Sequence, residues 1–189
     1  VKTTTSGTTV TTAYEASILR AYGGLRMGGV GFYGLDISTA TAPQLLFHID
    51  RSKAGFDRLA QIWSKPTITE IRHEGKRKRV LIFGGGYDAD KYENETVESP
   101  TSLPTMGNAL YVVDAKTGEL IWSTSSSISA SNDTDKTAQT DVKYSVVAQP
   151  AVRDYDSDGL ADMIYFADLG GQIFRVDLNN LAHMNTTQK

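Results

Sequence analysis

The chain has 189 residues, formal net charge -3, 40% hydrophobic and 22% charged residues, and no cysteine. That excludes disulfide frameworks, thiolate zinc sites and thiol catalysis. It also excludes a sequence-wide basic field for nucleic acid or anionic membrane, a disordered tail, and any apolar run near the roughly 18 residues that span a bilayer. The chain opens on Val1 without a signal-peptide pattern, so the expectation is a segment of a longer protein.

Ala13 to Ala21 reads as a helix in isolation, but it aligns with later segments that read as strand. Ile18 to Tyr22 is the first of these, followed by glycines and then Gly31 to Asp36. The second copy runs from Val80 to Phe83, through Gly84-Gly85-Gly86 and an insertion, to Gly107 through Asp114. The third runs from Met163 to Ala167, through Asp168-Leu169-Gly170-Gly171, to Gln172 through Asp177. Each copy is β-branched and aromatic, breaks at Gly, resumes, and ends in Asp, which is the pattern of strand, turn, strand. After Asp36 and Asp114 a further strand follows, Leu45 to Ile49 and Glu119 to Trp122. The turn Asp114-Ala115-Lys116-Thr117-Gly118 suits its place, since Asp bonds the backbone ahead and Gly accepts positive φ. Pro66 to Ile71 and Pro150 to Arg153 supply leading strands for the second and third copies.

The unit is thus four short strands, and repeats of such sheets predict an all-β fold of β-propeller blades, four-stranded and antiparallel. A blade takes about 40–50 residues and a ring about four to eight blades. One full blade and two partial ones are legible, which predicts an incomplete arc of a larger, modified propeller over residues 1–189. Two stretches read as solvated insertions: 88–105, acidic then Pro-rich, and 123–141, rich in Ser, Thr and Asp.

The strongest chemical signal is Asp154-Tyr155-Asp156-Ser157-Asp158-Gly159-Leu160-Ala161-Asp162. Alternating carboxylates repel at close range unless a cation joins them. Calcium takes six to eight oxygens at about 2.3–2.6 Å. The spacing offers Asp154, Asp156, Asp158 and Asp162 as carboxylate ligands, the backbone carbonyl of Leu160 as another, and Gly159 for the sharp turn. The start resembles an EF-hand loop, but the twelfth position is Tyr165 rather than a bidentate Glu. The flanks, Val146 to Val152 and Met163 to Ala167, read as strands, so the ion would staple a hairpin of one blade. Magnesium suits such an all-protein cage poorly.

Other features carry less. Gly84-Gly85-Gly86 lacks the Gly-Lys-Ser/Thr of a phosphate loop and reads as a blade turn. Lys76-Arg77-Lys78-Arg79 reads as a charged hairpin end. His48, His73 and His183 lack metal-ligand spacing, and no Ser/His/Asp set can be argued. Asp88, Asp90, Glu93 and Glu95 form a second acidic group without the Gly or the spacing. Asn94, Asn132 and Asn185 head glycosylation sequons. Trp63 and Trp122 are expected to pack between blades.

Four stretches together resemble the C-terminal β-propeller domain of PilY-type proteins, the tip-associated adhesins and biogenesis factors of bacterial type IV pili. They are Gly28 to Asp36, Gly55-Phe56 through Trp63-Ser64-Lys65-Pro66, Leu110 to Gly118, and Asp154 to Asp162 continuing through Ala167 to Leu178. The resemblance implies a non-enzymatic module in which calcium, held by Asp154, Asp156, Asp158, Asp162 and the Leu160 carbonyl, governs pilus extension, retraction and surface attachment. It implies minor pilins and the tip complex as partners, with host or abiotic surfaces beyond them, and neither nucleic acid nor a membrane span. It implies a place at the bacterial surface and pilus tip, outer-membrane associated, after export through the periplasm. The Arg-Gly-Asp sequence of some relatives is missing here. Two alternatives stay open: a fragment of a quinoprotein (pyrroloquinoline-quinone) dehydrogenase propeller, whose repeats share the Tyr-x-x-Asp-x-x-Thr-Gly turn, and a generic extracellular calcium-binding adhesion propeller.

Overall fold

A computed structural model describes residues 2–6, 9–13, 18–93, 106–125, 136–138 and 141–178. The chain begins with an antiparallel hairpin, β1 (Lys2–Ser6) and β2 (Thr9–Ala13). Its threonine-rich strands are β-branched but lack apolar alternation, which is why the sequence reading has no element there.

The first blade is a three-stranded antiparallel sheet of β3 (Arg20–Gly24), β4 (Phe32–Asp36) and β5 (Gln44–Ile49). A short 3-10 turn at Arg26–Gly28 joins its first two strands. The expected strand at Ile18 to Tyr22 thus forms, two residues later, and among the described residues of Ala13 to Ala21 there is no helix.

The middle blade contains β6 (Thr67–His73), β7 (Lys76–Gly84), β8 (Ala109–Asp114) and β9 (Leu120–Ser125), antiparallel in sequence order. Glu74 and Gly75 close the β6–β7 hairpin with φ of 51° and 74°. Positive φ at both central residues is the turn that matches strand twist, so the basic run does lie at a hairpin end. A fifth strand, β10 (Lys136–Ala138), adds to β9 in parallel, beyond the expected four. A single helical turn, α1 (Ala89–Tyr92), follows β7.

The third blade is β11 (Ala151–Arg153), β12 (Met163–Ala167) and β13 (Ile173–Asp177), again antiparallel. The strand expected from Val146 starts only at Ala151, because the Val146 backbone is taken by the middle blade. Its N–H donates to the Gly107 carbonyl at 2.8 Å, and its carbonyl accepts from Gly86 N at 3.1 Å.

The middle blade explains the core. Along β7 and β8, Leu81, Phe83, Tyr111 and Val113 point to one cluster, with Phe32, Phe47 and Ile49 of the first blade. Their neighbours Val80, Ile82, Leu110 and Val112 point to a second cluster, with Ile164 and Phe166 of the third blade. Side chains alternate across a strand, so a strand covered on both faces is apolar throughout. Trp122 packs against the second cluster, whereas Trp63 lies under the Arg26 guanidinium, 5.6 Å from the ring centroid. No described helix is long and apolar enough to cross a membrane.

The two expected insertions are only partly described. Residues 94–105, 126–135 and 139–140 lie outside the described residues, as do Glu95, the three sequons and His183. Where described, part of their flanks is packed, while Asp90, Glu93 and Asp141 are exposed. Asp88 is buried and accepts from Met106 N at 3.2 Å, and the Tyr92 hydroxyl accepts from Ser145 N at 3.2 Å. Ser123, Thr124 and Ser125 are buried within β9.

Candidate metal centre

The acidic loop joins β11 to β12, at the side of the third blade that faces the middle blade. Its C-terminal end is anchored by apolar burial and by the backbone. Leu160 and Ala161 are buried, and Ala161 belongs to the cluster between the two blades. Ala161 N donates to the Glu70 carbonyl of β6, and Asp162 N to the Arg153 carbonyl, both at 2.8 Å.

Between these anchors the carboxylates fold the loop on itself. Asp154 Oδ2 accepts from Gly159 N at 2.8 Å, and Asp162 Oδ2 accepts from Tyr155 N at 2.6 Å, tying the ends together. Asp156 Oδ1 accepts from Asp158 N at 3.1 Å. The reversal needs φ of 62° at Ser157 and 82° at Gly159, and only the second is natural to its residue.

One carboxylate oxygen from each of Asp154, Asp156 and Asp162 lies within 4.8 Å of the other two. Asp154 and Asp156 are exposed and Asp162 is half-buried. Three formal negative charges at this range, presented by hard oxygens, suit a hard divalent cation. Asp158 stands apart from the triad: its Oδ1 accepts from Leu160 N at 2.7 Å, and its Oδ2 lies 3.7 Å from Arg72 Nη2 of β6. The donor set can therefore hold a metal ion, with three of the four expected carboxylates gathered and the fourth turned to the neighbouring blade. An open cleft of about 440 Å³ lies between β6 and β11, with Thr67, Gln149, Pro150, Asp154 and Gly159 among its lining, so solvent and ions reach the loop.

The basic hairpin end also contacts the acidic loop, a pairing its sequence does not announce. Arg77 Nη2 donates to the Asp158 carbonyl and its Nη1 lies 3.3 Å from Glu70 Oε2. Arg79 pairs with Glu70 at 2.8 Å, and Lys78 with Asp114 at 3.1 Å. The signal was present, a basic hairpin one blade before an acidic loop, but its partner lies about eighty positions away.

The other candidates resolve as structure. His48 stacks on Tyr33 with centroids 4.4 Å apart, and its Nδ1 is 3.6 Å from Asp50. Gly85 N and Gly86 N donate to the carbonyls of Ala109 and Val146, so the triple glycine is packed against backbone. Among the described residues, Asp88, Asp90 and Glu93 do not gather as a metal-binding group.

A family model described as the PilY1 beta-propeller domain matches residues 10–188. The chain belongs to the PilY1 β-propeller family. The type IV pilus biogenesis factor PilY1 of Pseudomonas aeruginosa strain PAO1 is 30% identical over 159 residues, covering 82% of this chain and 11% of that protein. The PilY1 homolog of Xylella fastidiosa is 29% identical over 163 residues, covering 83% of this chain and 9% of that protein. The chain thus spans about a tenth of the length of these relatives. The crystal structure of the P. aeruginosa PilY1 C-terminal domain superposes with a TM-score of 0.59 at 27% identity, over 84% of this chain and 26% of that one. The PilY-type resemblance and the propeller-blade fold are both borne out, and among the described residues the blades do not close into a ring. The PilY1 relatives are named as pilus biogenesis factors rather than as enzymes.

Proposed function

We propose that this chain is a calcium-binding β-propeller module of a tip-associated type IV pilus biogenesis factor and adhesin. Calcium occupancy of the 154–162 loop regulates pilus extension, retraction and surface attachment. The observation that carries this reading is the convergence of Asp154, Asp156 and Asp162 in a loop anchored between two blades of a PilY1-family propeller. These carboxylates hold the ion, and Asp158 and the Leu160 carbonyl complete the set. The ion supplies a divalent charge that removes the repulsion among the carboxylates. Ala161, fixed on Glu70, transmits the ordering of the loop to the middle blade. The module acts at the bacterial surface after export through the periplasm, outer-membrane associated, with minor pilins of the tip complex as its partners and host or abiotic surfaces as its targets.

Titration calorimetry tests the first step. The expected dissociation constant is on the order of 10⁻⁶–10⁻⁴ M. At a hundredfold excess over that constant, binding to the folded form stabilises it by about 2.7 kcal/mol. Asp156→Ala should abolish the heat. A folded sample that gives no heat at millimolar calcium rejects the reading. In the intact parent protein, Asp156→Ala should alter piliation. Calcium binding with unaltered piliation would leave a structural staple and end the regulatory reading.

A further inference from the structure

The Lys76 to Arg79 run is left over from the function above, yet one of its residues, Arg77, reaches the acidic loop. Arg77 lies over Gly159, where a Cβ would sit 3.0 Å from its Nη2, and it donates to the Asp158 carbonyl. Arg72, on the partner strand of the same hairpin and paired with Arg77 in the β6–β7 register, faces the Asp158 carboxylate at 3.7 Å. Glu70 fixes Arg77 and Arg79 from below. The middle blade therefore presents two guanidinium groups to one residue of the next blade's loop, one to its backbone and one to its side chain. Asp158 is also the one expected carboxylate that stands outside the triad.

We propose that the β6–β7 hairpin is a latch for the acidic loop, and that Arg72 and the bound cation compete for the Asp158 carboxylate. This rests on the calcium reading above. In the latched state Arg72 holds Asp158 towards the middle blade while Arg77 holds the loop backbone. When the carboxylate turns to the cation, the Arg72 contact is lost and the Arg77 contact stays. Arg72 is thereby a positioning residue that sets calcium affinity, and the exchange of partners changes the contact between two blades.

The test uses the full 189-residue chain with calcium alone as the probe. Arg72→Gln should tighten calcium binding about three- to tenfold at low ionic strength, a gain that shrinks as salt screens the charge. Arg72→Lys should stay near wild type. Lys78→Gln removes the same charge from a residue engaged with Asp114, and should shift affinity by less than about twofold. A second readout needs no metal. In chelator, Arg72→Gln should speed amide exchange at Leu160, whose N–H is held by Asp158 Oδ1. Binding that is unchanged or weaker in Arg72→Gln, or equally tightened in Lys78→Gln, overturns the competition. Unchanged exchange at Leu160 overturns the latch. Faster exchange with no calcium heat in either wild type or Arg72→Gln overturns the calcium reading, and the competition with it, while the latch contact stands.

Discussion

Phe83→Ala probes whether the first and middle blades share one core. Phe83 is fully buried on β7, and its ring stacks on Phe32 of β4 with centroids 4.3 Å apart and planes at 11°. It also meets Tyr111 of β8 at 5.7 Å. Truncating a buried Phe costs about 3–5 kcal/mol, part of it the cavity left behind. The upper end applies here, because Phe32 and Tyr111 sit on strands paired in two different ladders and cannot both move in to fill the space. Each aromatic pair, the Phe32 stack and the tilted Tyr111 contact, adds about 0.5–1.5 kcal/mol beyond burial. For a chain of this size, about 2–4 °C is lost per kcal/mol, so the midpoint should fall by about 8–20 °C. Thermal unfolding followed by far-UV circular dichroism and by tryptophan fluorescence measures it. Leu45→Ala, at a side chain 61% exposed on β5, is the control and should stay within about 0.5 kcal/mol. A Phe83→Ala loss below about 1.5 kcal/mol would refute the shared core, since even the transfer of one exposed-to-buried Phe exceeds that. Two separated transitions in the wild type would refute it as well.

Gly34→Ala should cost about 1–3 kcal/mol in urea titration, because a Cβ there would lie 2.6 Å from Phe47 Cζ in a closed part of the core. A neutral result would mean that the Phe47 ring can swing away. Asp114 predicts an acid limb. Burial pushes its carboxyl up, but the N–H groups of Lys116 and Thr117 and the ammonium of Lys78 outweigh burial and hold it below the usual 3.8. Its stabilising contribution is therefore complete above the unfolded-state value and is lost as pH falls through the lower, folded-state one. Asp36 and Asp50, each bonded by a serine two positions on, are lowered in the same sense. Asp114→Asn should flatten the loss of stability between roughly pH 5 and pH 2, measured by urea midpoints. An unchanged slope would assign the acid limb to other carboxylates.

The features legible in the chain before folding are those whose causes are local. Asp followed by small residues and Gly specifies the Asp114 turn, where Oδ1 accepts from Lys116 N and Thr117 N wherever the segment sits. The Asp154 to Asp162 spacing likewise specifies a loop that folds around its own carboxylates. The same short strands between glycines made the blade repeat legible, and with it the family. What depends on neighbours far along the chain emerges only when the blades pack. Val80 to Phe83 and Ala109 to Val113 read as apolar runs, but only packing between two blades divides them into faces serving two clusters. β10 joins its sheet in parallel through pairing with β9, which no local pattern in three residues could announce. Val146 is drawn out of the expected strand because its N–H and carbonyl bond the glycine turn of the middle blade. Asp158 is separated from its fellow carboxylates for the same kind of reason. Sequence spacing places it among the ligands, whereas Arg72, eighty-six positions earlier, acts on it only once two blades are side by side.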